Sequence, residues 1–161
     1  GRRVRADRTP QFAHAMMVVD AIAKVELETR ATPGQRFVPV DEILARAPES
    51  TRKKTRPLEI PVTLYPCKKL PWLKKPFHTH MVPDGLYGIE YLIEGEKRYR
   101  FWALECERES PVRRTSAGYS SLQLKEAAYA EVIRSRIFLQ IWGIPNLEYR
   151  MISSSNFHTN N

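Results

Sequence analysis

The sequence predicts an α/β fold, a mixed central sheet of about four strands flanked by helices. Three observations carry that expectation. Apolar residues recur at helical spacing after Thr9-Pro10, a hairpin pattern fills residues 86–107, and a second helical stretch precedes an alternating segment near the end. A strand–helix–strand crossover of that kind implies at least one parallel pairing, so the sheet is mixed.

Thr9 is the expected N-cap of the first helix and Pro10 its first residue. Phe12, Met16, Val19, Ala23 and Leu27 form its expected inner stripe, and Pro33-Gly34 closes it. A short helix is expected from Val40-Asp41 to Ala47 with Asp41 as cap, followed by a basic connector from Pro48 to Arg56. The prolines around Leu58–Tyr65 remove ladder donors, so that stretch reads as an edge strand or irregular extended chain. Residues 66–76 form a proline-rich loop with four lysines, and His78 to Val82 is a short strand. Leu86–Ile93 and Lys97–Glu107 are then two strands joined at Glu94-Gly95-Glu96. Ser120 and Gln123 match a capping box, which starts a helix expected to run to about Gln140 before Gly143 and Pro145 end it. Leu147, Tyr149 and Met151 alternate with polar residues as a last strand.

The chain has 161 residues, 42% of them hydrophobic and 27% charged, which fits one domain and excludes a disordered chain. No run approaches the ~20 apolar residues that span a bilayer, so no membrane partner is expected. The expected organisation is an α/β domain over 9–152, a basic arm over 1–8 and a polar tail over 153–161. The start at Gly-Arg-Arg-Val-Arg shows no signal peptide and reads as a cut edge. Cys67 and Cys106 are far apart and lack metal-finger spacing, so free thiols in a reducing cytoplasm are expected. Cys106 should point into the core, out of phase with its neighbours Glu105 and Glu107.

The net charge of +8 favours a polyanionic partner, with DNA as the leading candidate. The excess gathers in predicted loops: Arg52, Lys53, Lys54 and Arg56, then Lys68, Lys69, Lys74 and Lys75, then Arg108, Arg113 and Arg114. Solvated basic surface is the alternative reading of these runs. Oligomeric state is left open, a homodimer included.

Three carboxylates carry the chemistry. Asp84 sits between Pro83 and Gly85 at a strand entrance, and Glu105 and Glu107 leave one face of the strand that ends the hairpin. Converging carboxylates are hard ligands for Mg²⁺ or Mn²⁺, ions that support attack on phosphodiesters. A plain Pro-Asp-Gly turn, and a strand emerging into solvent at Glu105, are the alternatives. Lys125 and Tyr129 share a helix face with Leu122 and Val132, so Lys125 could meet a scissile phosphate or run past the core to a surface glutamate. His78 and His80 lack a third nearby ligand for zinc, and Ser153 to Ser155 lack a base-and-acid pattern.

Helix, hairpin bearing Asp84 then Glu105-x-Glu107, helix and strand resemble the PD-(D/E)XK nuclease core over roughly 9–152. The departure is Glu107, where lysine is usual; Lys125 stands where some members carry that lysine on the following helix. The resemblance implies a divalent-metal-dependent endonuclease or nickase. Asp84 and Glu105 would be ligands, Glu107 a ligand or base, Lys125 the phosphate contact, and Glu26 of the first helix a further ligand. More narrowly, Phe12-Ala13-His14-Ala15, Val18-Val19-Asp20, Val82-Pro83-Asp84-Gly85, the run Phe101 to Arg108, and Lys125 to Tyr129 resemble the replication-relaxation family of bacterial plasmids and mobile elements. That likeness implies a plasmid replication or mobilisation context and an upstream winged-helix DNA-binding region, which a cut edge at the start would have removed. A non-catalytic DNA-binding module on the same fold and a protein-interaction domain remain as alternatives.

Overall fold

The computed structural model describes residues 10–107 and 121–153. Helix α1 (Pro10–Ala31) is followed by β1 (Gln35–Val38), α2 (Val40–Ala45), α3 (Glu49–Arg52), β2 (Ile60–Leu64) and β3 (Phe77–Met81). Then come β4 (Gly85–Ile93), β5 (Glu96–Glu107), α4 (Ser121–Ser135), α5 (Ile137–Trp142) and β6 (Glu148–Ser153). The main sheet has four strands in the order β1-β4-β5-β6, and β2 and β3 form a separate two-stranded sheet. The fold is therefore α/β with a mixed sheet, since β4 and β5 are antiparallel while β5 and β6 are parallel across the α4–α5 connection.

The β4–β5 hairpin turns at Glu94 and Gly95, whose positive φ values of 51° and 79° match the twist of the flanking strands. Near its middle, a Cβ on Gly88 would fall 2.6 Å from the Phe101 ring, so only glycine lets the two strands close there. Asn146 finishes the far edge of β5 before β6 begins. Its Oδ1 accepts from the Phe101 amide at 3.0 Å and its Nδ2 donates to the Tyr99 carbonyl at 2.9 Å.

Alternation along β5 divides the core. Phe101 and Ala103 face a cluster built with Ile60, Val62, Leu64, Tyr129, Val132, Phe138 and Trp142. Leu104 and Cys106 face the opposite cluster, with Tyr87, Ala21 and Val25. The sheet thus lies between α1 on one side and α4, α5, α2 and the β2–β3 sheet on the other. None of the helices among the described residues is long and apolar enough to cross a membrane.

Several elements differ from expectation. The expected inner stripe of α1 faces outward: Phe12 is 57% and Leu27 67% exposed, and Met16, Val19 and Ala23 are exposed as well. Ala21, Val25 and Thr29 face the sheet instead, with Met17, Val18 and Ile22 beside them. Apolar residues lie on both sides of this helix, and small Ala21 permits the closer approach. Asp41 does not cap α2; Pro39 holds that position and Asp41 lies in the first turn, where its charge suits the helix dipole. The short strand β1 was not foreseen, and the basic connector contains α3. Prolines left β2 paired only with β3, outside the main sheet. The long second helix breaks at Arg136, whose φ of 58° separates α4 from α5. Thr9, Ser120, the arm over 1–8 and the tail beyond Ser153 lie outside the described residues.

Candidate functional site

Antiparallel pairing sets Gly85 opposite Leu104, so Asp84 at the start of β4 lies at the same end of the sheet as Glu105 and Glu107 at the end of β5. Beyond Gly85 the β5 edge has no strand partner on that side, and the Asp84 carboxylate takes over. Its Oδ2 accepts from the Cys106 amide at 2.8 Å. His14 of α1 completes the edge. Its Nε2 lies 3.1 Å from Asp84 Oδ2 and 3.0 Å from the Cys106 carbonyl oxygen. Acceptors on both sides make Nε2 the protonated nitrogen of this ring.

On the α4 face of the sheet, Lys125 Nζ lies 2.6 Å from Glu105 Oε1 and 2.8 Å from Glu107 Oε1. Tyr129, one turn further along α4, donates its hydroxyl to Glu105 Oε2 at 2.8 Å and stacks on Tyr149 of β6, with ring centroids 4.5 Å apart. Both carboxylate oxygens of Glu105 therefore have a donor from the same helix face. Glu105 is only 3% exposed. Burial raises its pKa above the ordinary carboxylate range; the Lys125 hydrogen bond opposes that shift, and the negative charge of Asp84 adds to it. Burial likewise raises the Tyr129 phenol, and Glu105 reinforces it, so Tyr129 stays a donor. For Lys125 burial alone would lower the pKa, but its hydrogen bonds to Glu105 and Glu107 outweigh burial and raise it. The asymmetry within this ion pair has a simple cause. Lys125 gains from two carboxylates, whereas Glu105 is far more deeply buried, shares one ammonium and also faces Asp84.

The structure thus brings Asp84, Glu105, Glu107 and Lys125 together, and adds His14 and Tyr129. It leaves Glu26 out. Glu26 lies twelve residues beyond His14 on α1, about 18 Å along the axis, and its Oε1 accepts from Arg30 at 2.8 Å. Its candidacy came from resemblance, and helix α1 meets the site only through its first turns. Cys106 is buried on the α1 face, where burial first and Asp84 second push its thiol up to about 11. Of the basic candidates, Arg52, Lys53, Lys54, Arg56, Lys74 and Lys75 are all exposed. Lys53 pairs with Glu49 at 2.8 Å, and Arg56 lies 3.9 Å from Glu59. Arg113 and Arg114 lie outside the described residues. His78 bonds to Thr63 at 2.8 Å and His80 lies 3.8 Å from Glu59, so these imidazoles have separate partners.

A crevice of about 150 Å³ opens beside the cluster, lined by Glu105 and Lys125, by Leu124 and Ala128 of α4, and by Phe77, Thr79 and Met81 of β3. Whether these groups suit a divalent ion follows from their chemistry. Mg²⁺ is commonly held by one or two carboxylates plus substrate phosphate, with water completing its shell. Asp84 and Glu105 supply oxygen donors of that kind; burial first, and the nearby Asp84 charge after it, raise the Glu105 pKa, and Lys125 opposes that rise. A dedicated protein cage is another matter: among the described residues no group of three or more His, Cys, Asp or Glu is arranged to hold a metal. Asp84 and Glu105 therefore match Mg²⁺ in donor type alone. Compared with family models, curated proteins and solved structures, the chain matches none of them.

Proposed function

We propose that this domain is a divalent-metal-dependent DNA endonuclease or nickase of PD-(D/E)XK type, related to the replication-relaxation family and acting in plasmid or mobile-element replication. The observation that carries the reading is Lys125 Nζ between Glu105 and Glu107, with Asp84 on the adjoining strand edge. A cation and a buried carboxylate lining one crevice, with two further carboxylates adjoining, are the parts that phosphoryl transfer needs.

Asp84 and Glu105 would hold Mg²⁺ or Mn²⁺, which when bound activates water and offsets charge on the phosphate. Lys125 then turns from the glutamates toward a phosphate oxygen and stabilises the charge that develops there. Glu107 holds the ammonium in register before substrate arrives, and serves as a further ligand or as base once Lys125 is engaged. Tyr129 fixes the Glu105 carboxylate in rotation. His14 fixes Asp84 by holding the same β5 edge. The exposed basic residues of α3 and of the two loops around the β2–β3 sheet grip flanking backbone. Two free thiols agree with the cytoplasm as its compartment.

A second reading rests on the same ion pairs. Lys125 already satisfies both glutamates, as a non-catalytic DNA-binding module on this fold would require. One experiment separates the two. With Mg²⁺ or Mn²⁺, wild type is expected to cut or nick DNA, and Asp84→Asn and Glu105→Gln to lose about 1,000-fold in rate, several kcal/mol of transition-state stabilisation. Lys125→Met should slow cutting while ion uptake in calorimetry persists. A protein that takes up no divalent ion and cuts no DNA form, yet binds DNA, is the non-catalytic module.

A further inference from the structure

We infer that the site is fed by a single-stranded DNA path running from the Lys54–Arg56 surface past His80 to Phe77 at the mouth of the Glu105–Lys125 crevice. The inference rests on the phosphodiester reading of that site and adds to it the form of the substrate.

The path is built from two depressions. The first is the crevice of about 150 Å³ between β3 and α4. The second, of about 380 Å³, is lined by Lys54, Thr55, Arg56, Glu59, Pro61 and His80. His80 lines both, so the two meet at this residue. β3 carries the link, because its side chains alternate. Phe77 and Met81 line the crevice, while His80 stands opposite Pro61 in the β2–β3 register and reaches the outer depression. Charge in the outer depression favours an anion. Glu59 is the one carboxylate lining the outer depression, and Arg56 and His80 both lie against it, at 3.9 and 3.8 Å. Lys54 is exposed and has no ion pair among the described residues.

One feature selects a single strand over a duplex. At the mouth stands Phe77, an aromatic ring that is 44% exposed although the strand around it is otherwise polar outward. A base freed from pairing stacks on such a ring while the next phosphates lie on basic side chains, the usual division of labour in single-strand grooves.

The test is binding of a labelled single-stranded oligonucleotide and of a hairpin duplex of the same sequence, by anisotropy in EDTA across a range of salt. Wild type is expected to prefer the single strand by about tenfold or more. Phe77→Ala should weaken single-strand binding about 5- to 100-fold and leave the salt slope unchanged, with Phe77→Tyr restoring affinity. Lys54→Ala combined with Arg56→Ala should lower the slope of log K against log salt by about 1.4, two phosphate contacts on a single strand. Equal affinity for duplex, or Phe77→Ala binding as wild type does, overturns the path. Cleavage of the same DNAs with Mg²⁺ keeps the two readings apart. Wild type that binds single strands as described but cuts nothing supports the path and overturns the nuclease reading. Wild type that cuts duplex as fast as single strand, with Phe77→Ala unimpaired, overturns the path alone.

Discussion

Glu90 and Glu105 are two covered carboxylates on one face of one sheet, and each has a cation and a tyrosine hydroxyl as partners. Glu90 is 8% exposed and accepts from Arg36 at 2.9 Å and from Tyr99 at 2.7 Å. Glu105 accepts from Lys125 and from Tyr129. Their protonation behaviour is opposite. The Arg36 hydrogen bond, then that of Tyr99, lowers the Glu90 pKa to about 2, whereas burial raises that of Glu105. The difference lies in what covers them. Arg36 and Lys97, the charged groups over Glu90, are 45% and 65% exposed, so Glu90 keeps a polar surrounding. Glu105 lies under α4 and the β2–β3 sheet and faces Asp84 as well. Similar hydrogen bonds thus make an ordinary structural ion pair at one end of the sheet. At the other end burial outweighs them, and perturbed carboxylates of that kind gather at functional sites.

The largest test of this comparison is truncation. Glu105→Ala should cost about 3 kcal/mol in urea unfolding, since Tyr129 loses the acceptor for a fully buried hydroxyl and Lys125 loses half of its pairing. Glu90→Ala should cost about 1 kcal/mol, because Arg36 retains Glu42 and its surroundings admit water. Equal losses would mean that the two sites are covered alike. Glu105→Gln, which still accepts from Tyr129, should stay within about 1 kcal/mol of wild type in stability while losing cleavage.

The two carboxylates were unequally legible in the sequence. Glu105 stood out because alternation puts it on one face with Glu107 inside the run Phe101-Trp102-Ala103-Leu104, and because Asp84 enters the same hairpin. Lys125 could be read from its i,i+4 relation to Tyr129. Glu90 gave no such signal. It sits in Ile89-Glu90-Tyr91, and its partner Arg36 comes from β1, four residues whose pairing only the folded register reveals. The place of His14 beside Asp84 was hidden for a different reason. Helix α1 has apolar residues on two sides, so periodicity selected the face of Phe12 and Leu27, while contact with the sheet selected that of Ala21 and Val25. Periodicity finds a stripe; it does not say which stripe meets the core when two compete.

A smaller effect separates the same pair by pH. Glu90 has a folded pKa below its unfolded value, so its contribution is present above about pH 4.5 and is lost as pH falls toward 2. Glu105 has the reverse sign. Its folded pKa is raised, so its contribution is present below about pH 4.5 and is lost as pH rises through the folded value. Measured as urea midpoints across pH 2–8, Glu90→Gln should flatten the rise in stability on the acid side. Glu105→Gln should gain on wild type as pH increases above about 4.5. Difference curves of the same sign would show that Asp84 and burial do not govern Glu105.

The finest distinction is between the two tyrosines. Tyr129→Phe removes the Glu105 donor at the buried end, and Tyr99→Phe removes the Glu90 donor at the wet end. Each loses one hydrogen bond to a charged group, which contributes about 1.5–3 kcal/mol when nothing replaces it. Water can reach Glu90, where Arg36 and Lys97 are open to solvent, so Tyr99→Phe should cost well under 1 kcal/mol at neutral pH. At Glu105 water has no comparable access from the tyrosine side, because Tyr129 is fully buried against Tyr149. Tyr129→Phe should therefore cost about 1–2 kcal/mol and raise the carboxyl's proton affinity further, shifting any Mg²⁺-dependent cleavage profile toward higher pH. An unshifted profile with an intact fold would mean that Tyr129 supports packing alone and that Lys125 by itself sets the charge of Glu105.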